Sequence, residues 1–200
     1  MTEYMTAEAR AIAIEACRQA IRLRHPYLGA EHLLLALAGC GQPAGAVLRE
    51  RGVGPGRVEA EIVRLAGGGL FGDLDRKALA AVGVDVDAVR ARTEASFGAQ
   101  ALTRAARAIG RQPGRFDLRP RSGAVLDGVF LPHGPGAGQV LLGARRQAEA
   151  RGLTGPAGVA DLALAVVAVD EGLVPPILAA LGVAGPALAA AIADRYRSAG

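Results

Sequence analysis

The residues able to do chemistry are few, and the most suggestive sit side by side: Glu31 and His32, just after Gly29. At the start of a helix a carboxylate can accept from a guanidinium, and the free backbone N–H groups of the first turn suit an anion. The plainer account is that an acidic residue in a first helical turn stabilises the helix without any ligand, and spacing alone favours it. The remaining histidines, His25 and His133, form no H-E-x-x-H, and Ser96, Ser122 and Ser198 lie in no G-x-S-x-G. No G-x-x-x-x-G-K-[ST] occurs and the one lysine, Lys77, follows no glycine-rich loop, which excludes a P-loop nucleotide site on residue grounds. Cys17 and Cys40 have neither CxxC nor Cys/His ligand spacing, so buried reduced thiols are expected rather than a disulfide or a zinc site. These absences point to a chain with no catalytic residue, no cofactor and no metal.

Charge is concentrated in Arg104, Arg107, Arg111, Arg115, Arg119 and Arg121, relieved by Asp117. Such a run could contact phosphates, with the steep salt dependence that follows. It is interleaved with Pro and Gly and holds only Phe116 as a stacking aromatic, and the formal charge of the whole chain is +4. A solvated linker over about 110–132 is the expectation, with a nucleic-acid-binding regulator as the alternative.

The elements that would position these residues follow from composition. Two hundred residues, 51% hydrophobic and 21% charged, suffice for a sizeable core; with only 4% aromatic residues and no Trp, that core must be packed from small and aliphatic side chains. Helices are favoured over a sandwich. The N-terminus is acidic and lacks the basic and apolar blocks of a secretory signal, so a cytoplasmic protein is expected. Residues 172–193 are uncharged and long enough to span a bilayer, but Pro175, Pro176, Gly182, Gly185 and Pro186 divide them into two short helices with a turn, and no membrane segment is expected.

The chain repeats itself. Leu48-Arg-Glu-Arg-Gly52-Val53 returns as Leu79-Ala-Ala-Val-Gly83-Val84 and as Leu178-Ala-Ala-Leu-Gly182-Val183, each followed at one offset by Val58, Val89 or Leu188. The phrase describes a helix that ends on a left-handed glycine and turns into another helix. The outer copies extend backwards: Ala16-Cys-Arg-Gln-Ala20 matches Ala144-Arg-Arg-Gln-Ala148, and Gly29-Ala-Glu-His-Leu33 matches Gly158-Val-Ala-Asp-Leu162. The expected fold is therefore all-α: two four-helix repeats related by pseudo-twofold symmetry, over 1–68 and 132–200, with an extra helical hairpin and the Arg-rich linker between them over 69–131. In the first helix Thr6 is the N-cap, and Ala9, Ile12, Ala16, Ala20 and Leu23 share one face.

These phrases resemble the Clp N-terminal repeat domain of Clp-family AAA+ unfoldases. Met5-Thr6-Ala-Glu-Ala9, then His25-Pro-Tyr-Leu-Gly29-Ala-Glu31-His32-Leu-Leu-Leu, then Leu48 through Val53, follow the family's F-T-x-x-A, G-H-x-x-[IV]-G-T-E-H-[IL]-L-L and L-x-x-L-G-[IV]. In the second repeat Leu131-Pro-His133-Gly-Pro135-Gly-Ala137 stands where L-P-F-T-P-x-A is usual. The resemblance implies a module that binds proteins, namely Clp unfoldases, adaptors or substrates, as an adaptor, competitor or decoy. It also implies phosphoarginine as a ligand of Glu31 alone, because Ala160 stands at the matching position of repeat two. Cyclic peptide antibiotics are a further implied ligand, at positions matched here by Thr2, Arg10 and His133. The expected groove lies at the junction of the repeats, lined by the first helix of each and by the turn carrying Glu31 and His32.

Overall fold

The computed structural model describes residues 4–66, 73–98, 123–126, 129–134, 136–150 and 155–198. In chain order its elements are α1 (Ala7–Arg22), α2 (Ala30–Gly39), α3 (Pro43–Glu50), α4 (Pro55–Ala66), α5 (Asp73–Ala81), α6 (Val86–Phe97), β1 (Gly123–Leu126), β2 (Val129–Pro132), α7 (Ala137–Ala150), α8 (Val159–Val167), α9 (Val174–Ala180) and α10 (Gly185–Arg197).

Two of these helices have no polar face. Every residue of α2 from Ala30 to Ala38 is buried, and in α8 only Leu164 is partly open. A helix that is apolar all round must be enclosed all round. α2 and α8 meet at the centre; α1 and α7 flank them, and the remaining helices close the other sides. The flanking helices present small faces: Ala9, Ala16 and Ala20 on α1, Ala137, Ala144 and Ala148 on α7, all buried. Small side chains let helix axes come close, which answers the scarcity of aromatics. Thr6 caps α1, its Oγ1 accepting from the Ala9 N–H at 3.3 Å, and the face expected from the sequence, Ala9 through Leu23, is the buried one.

Contacts between the two quartets come in exchanged pairs. α3 packs on α10 and α4 on α9, while α1 touches α8 and α7 touches α2. Two short parallel bridges repeat the exchange in the backbone. The Thr6 N–H donates to the Ala157 carbonyl and the Ala157 N–H to the Tyr4 carbonyl; likewise the Gly134 N–H donates to Leu28 and the Leu28 N–H to Pro132.

The repeated leucine-to-valine phrase has one structural meaning in all three copies. Gly52, Gly83 and Gly182 have φ of 82°, 81° and 73°. In each, the Val amide that follows reaches back to the Leu carbonyl: Val53 to Leu48 at 2.8 Å, Val84 to Leu79 at 2.9 Å and Val183 to Leu178 at 2.9 Å. This is the Schellman closure of a helix C-terminus. α1 ends the same way, with His25 bonded back to Ala20 at 2.9 Å, but there Arg24 occupies the left-handed position at φ 61°.

One expectation needs correction. The linker over 110–132 includes an antiparallel hairpin, in which Gly123 pairs with Pro132 and Val125 with Phe130. The alternation of Val125, Leu126, Val129, Phe130 and Leu131 around a two-residue connection is a strand signal. Leu131 is buried and Ala124 and Leu126 pack on the core, while Val125 is exposed. The arginine run itself lies outside the described residues. The extra helical hairpin stands where expected, as α5 and α6. Among the described residues no single helix is long and apolar enough to cross a membrane; α9 and α10 are apolar taken together but meet at 92°.

The left-handed positions give a stability test. Gly52→Ala and Gly182→Ala should each cost about 1 kcal/mol in urea denaturation, because a Cβ is strained at that φ. Gly41→Ala, where an added Cβ meets nothing within 4 Å, should be near neutral. Arg24→Gly should match or exceed the parent in stability.

Candidate functional site

Glu31 is not a solvated first-turn carboxylate. It is 2% exposed, and its Oε1 has no hydrogen-bond partner. The carboxylate lies so close to Gly29 that a Cβ there would run into Oε1, and any larger residue would have to push the Glu31 side chain aside. Burial raises its pKa to about 7, opposed in part by its own backbone N–H. Stabilisation of a helix start by an exposed acid is therefore too small an account of this residue, since removing a carboxylate from water outweighs the helix-end contribution.

His32 beside it is fully buried and does the capping. Its Nδ1 accepts from the Gly29 N–H at 3.0 Å, and its Nε2 is 2.8 Å from His25 Nδ1. An Nδ1 that accepts carries no proton, so the proton is on Nε2 and His32 donates to His25. Desolvation and the neighbouring His25 push the His32 pKa down to about 3. His32 is thus neutral, and its Nδ1 at 3.4 Å from Glu31 Oε1 is two lone pairs facing each other rather than an ion pair unless Glu31 holds a proton. The matching position in the second quartet is Asp161, whose Oδ2 accepts from the Gly158 N–H at 2.9 Å. Both central helices thus begin with a glycine amide satisfied by the side chain three residues on.

His25, Glu31 and His32 offer one ligand atom each within 4.8 Å of one another, all buried. As arranged, the lone pair of His25 Nδ1 and the proton of His32 Nε2 serve each other, and a cation would have to displace that bond. His25 was not singled out from the sequence, although it belongs to the same phrase. The available signal was two histidines seven residues apart across the Pro26-to-Gly29 turn.

The other expected residues separate from this cluster. Arg10 and His133 come together in a cleft of about 340 Å³, with Ala13, Ile14 and Cys17 of α1, Leu141 of α7, Leu28, and the whole of β1. The cleft does sit between the first helices of the two quartets, but Glu31 and His32 are not among its walls. Neither ring nitrogen of the half-buried His133 has a partner among the described residues, and desolvation lowers its pKa. Arg10 reaches the Met5 carbonyl at 3.5 Å. Thr6 is used as a helix cap, and Thr2 lies outside the described residues. β1 supplies a wall that sequence reasoning had assigned to a linker. A larger groove of about 610 Å³ opens along α1, α2 and α4, but its rim carboxylates are engaged: Glu15 with Gln19 at 2.6 Å and Glu59 with Arg22 at 2.7 Å. None of Thr6, Arg10, Glu31, His32 and His133 lines it, whereas Arg10 and His133 both line the smaller cleft.

No known family profile matches the chain, and no curated protein does. Solved structures do. The crystal structure of the N-terminal domain of the caseinolytic protease associated chaperone ClpD from Arabidopsis thaliana aligns with a TM-score of 0.61 and 16% identity, over 98% of this chain and 97% of that one. The chain has the fold of a Clp N-terminal domain.

Buried Glu31 gives a pH signature. Its pKa is about 7 in the folded chain against 4.5 in the open, so the folded state holds an extra proton between those values and stability is lost as pH rises through them. Glu31→Gln removes that loss. It should exceed the parent by about 3 kcal/mol in urea denaturation at pH 8, with the gap closing below pH 4. His32 contributes the opposite slope in both proteins and cancels. A gap independent of pH would show that the carboxyl is not buried uncharged.

Proposed function

We propose that the protein is a non-catalytic polypeptide-binding module of the Clp N-terminal type, serving Clp-dependent proteolysis as an adaptor, competitor or decoy. Its three-part organisation is repeat, insert and degenerate repeat over 1–68, 69–131 and 132–200. The observation that carries the proposal is the cleft between α1 and α7. It joins an apolar floor of Ala13, Ile14, Cys17 and Leu28 to the polar groups of Arg10 and His133. Its third wall is a short strand whose outward side chain, Val125, is 70% exposed. An extended chain segment fits such a site: apolar side chains enter the floor, the guanidinium and imidazole take carbonyls or carboxylates, and a sheet edge offers backbone pairing. A cyclic peptide presents the same chemistry, so sequestration of such compounds would use the same cleft.

Phosphoarginine is a second reading, supported by the unpartnered Oε1 of Glu31. Because Glu31 is shut away from the cleft, this ligand would have to open the turn from His25 to Gly29. The nucleic-acid alternative rests on residues 104–121 alone and calls for strongly salt-sensitive retention in a mobility shift.

The test is a titration of the full chain with a labelled, permanently unfolded polypeptide, followed by anisotropy. Saturable binding is expected, and it should weaken about tenfold or more when Ile14→Asp and Val125→Asp are combined, with helicity unchanged. Binding that ignores both substitutions would refute the cleft. In a parallel titration with free phosphoarginine, any response should vanish in Glu31→Ala. Capture from a native lysate should recover Clp unfoldase subunits, their adaptors or their substrates.

A further inference from the structure

The helix–glycine–helix phrase occurs three times, and two of its copies are partners. The hairpin of α3 and α4 lies against the hairpin of α9 and α10 with exchanged contacts, α3 on α10 and α4 on α9. In these two copies the apolar residues after the glycine are covered: Val53, Val58 and Leu188 have no exposure, and Val183 packs on the core. The third copy, α5 and α6, has the same Schellman closure and the same residues at the same offsets. There Val84 is 37% and Val89 45% exposed, and Val82 is 74% exposed. Among the described side chains of this hairpin only Val86 is buried, and its main support is the contact of α5 with α4. The chain thus holds an odd number of units of a kind that pairs.

We propose that the α5–α6 hairpin is a homodimer surface, pairing with the same hairpin of a second copy of this chain as α3–α4 pairs with α9–α10 inside it. Exchanged contacts are what a twofold axis produces: if α5 meets α6 of the partner, α6 meets α5 of the partner at once. Units sharing this sequence phrase already satisfy that geometry within the chain. The charges exposed on the hairpin have both signs, Lys77 and Arg92 against Asp85, Asp87 and Glu94, so a copy meets no uniform repulsion. Pairing would cover Val82, Val84 and Val89, which otherwise remain open to water. The cleft beside α1 lies on other elements, so this inference stands or falls separately from the proposed function.

Sedimentation equilibrium of the full chain, from low to high micromolar concentration, tests it. The expected result is a concentration-dependent doubling of mass. It should be abolished in the double variant Val82→Glu/Val89→Glu, whose substitutions fall at exposed positions and should leave helicity and polypeptide binding intact. A chain that stays monomeric throughout overturns the proposal, and this is also what a hairpin reserved for a different protein would give. A dimer that persists in the double variant overturns it equally, by placing the contact elsewhere.

Discussion

A helix without a polar face has to be wrapped on every side, and this chain contains two. The apolar runs from Leu33 to Ala38 and from Leu162 to Val167 cannot be left facing water, where each buried aliphatic side chain would forfeit about 1.5–3 kcal/mol. Neither quartet closes around its own central helix. α8 is covered in part by α1 and α3, and α2 by α7 and α9. The two quartets therefore share one core, because each finishes the enclosure of the other's central helix. The backbone bridges before each central helix, Met5 with Ala157 and Leu28 with His133, tie the entry strands of the two quartets in the same exchanged manner.

Enclosure creates a second problem at the helix starts. The N–H groups at a helix start are normally satisfied by water or by a Ser, Thr or Asp cap; the N-caps here are Gly29 and Gly158, which have no capping side chain, and Gly29 is also buried. Both quartets solve it from three residues downstream, with His32 in one and Asp161 in the other. The solutions differ in consequence. Asp161 meets the glycine amide as a carboxylate, whereas His32 must remain neutral to accept at Nδ1 and donates its Nε2–H to His25. Glu31 then places an unpartnered Oε1 beside a nitrogen lone pair, while the second quartet has Ala160 at that place. A carboxyl kept in such a position, where alanine demonstrably fits the same architecture, is a departure from the most stable solution.

Much of this was legible in the residues, and what was not has definite causes. The three Leu-to-Val phrases disclosed the helix ends because a Schellman closure makes local demands: a glycine at one position and apolar residues at fixed offsets. The buried face of α1 was equally local, set by periodicity and by the Thr6 cap. The hairpin of β1 and β2 was obscured by its neighbours, since a short apolar alternation next to a glycine- and arginine-rich stretch reads as more of the same. The burial of Glu31 could not be seen, because the start of α2 packs against residues more than a hundred positions away, as Ala30 does beside Gly136. The same distance hid the meeting of Arg10 with His133. The equivalence of His32 and Asp161 was visible as an alignment, but its purpose was not, because a histidine and an aspartate share only the ability to accept one hydrogen bond.

The cleft and the buried cluster are separate in space but consecutive in sequence. Leu28 lines the cleft and bonds through its backbone to the strand carrying His133; the next residue, Gly29, donates to His32. The peptide unit between them is held at both ends, its carbonyl accepting from the Gly134 N–H and its N–H donating to His32. A Cβ at Gly29 would run into the Glu31 carboxylate, so the turn that carries Leu28 is packed directly on the buried acid. Protonated, that carboxyl can donate; ionised, it accepts from its own backbone N–H but has no partner at Oε1. The buried acid and the cleft wall are in this way neighbours along the chain, one residue step apart at Leu28 and Gly29.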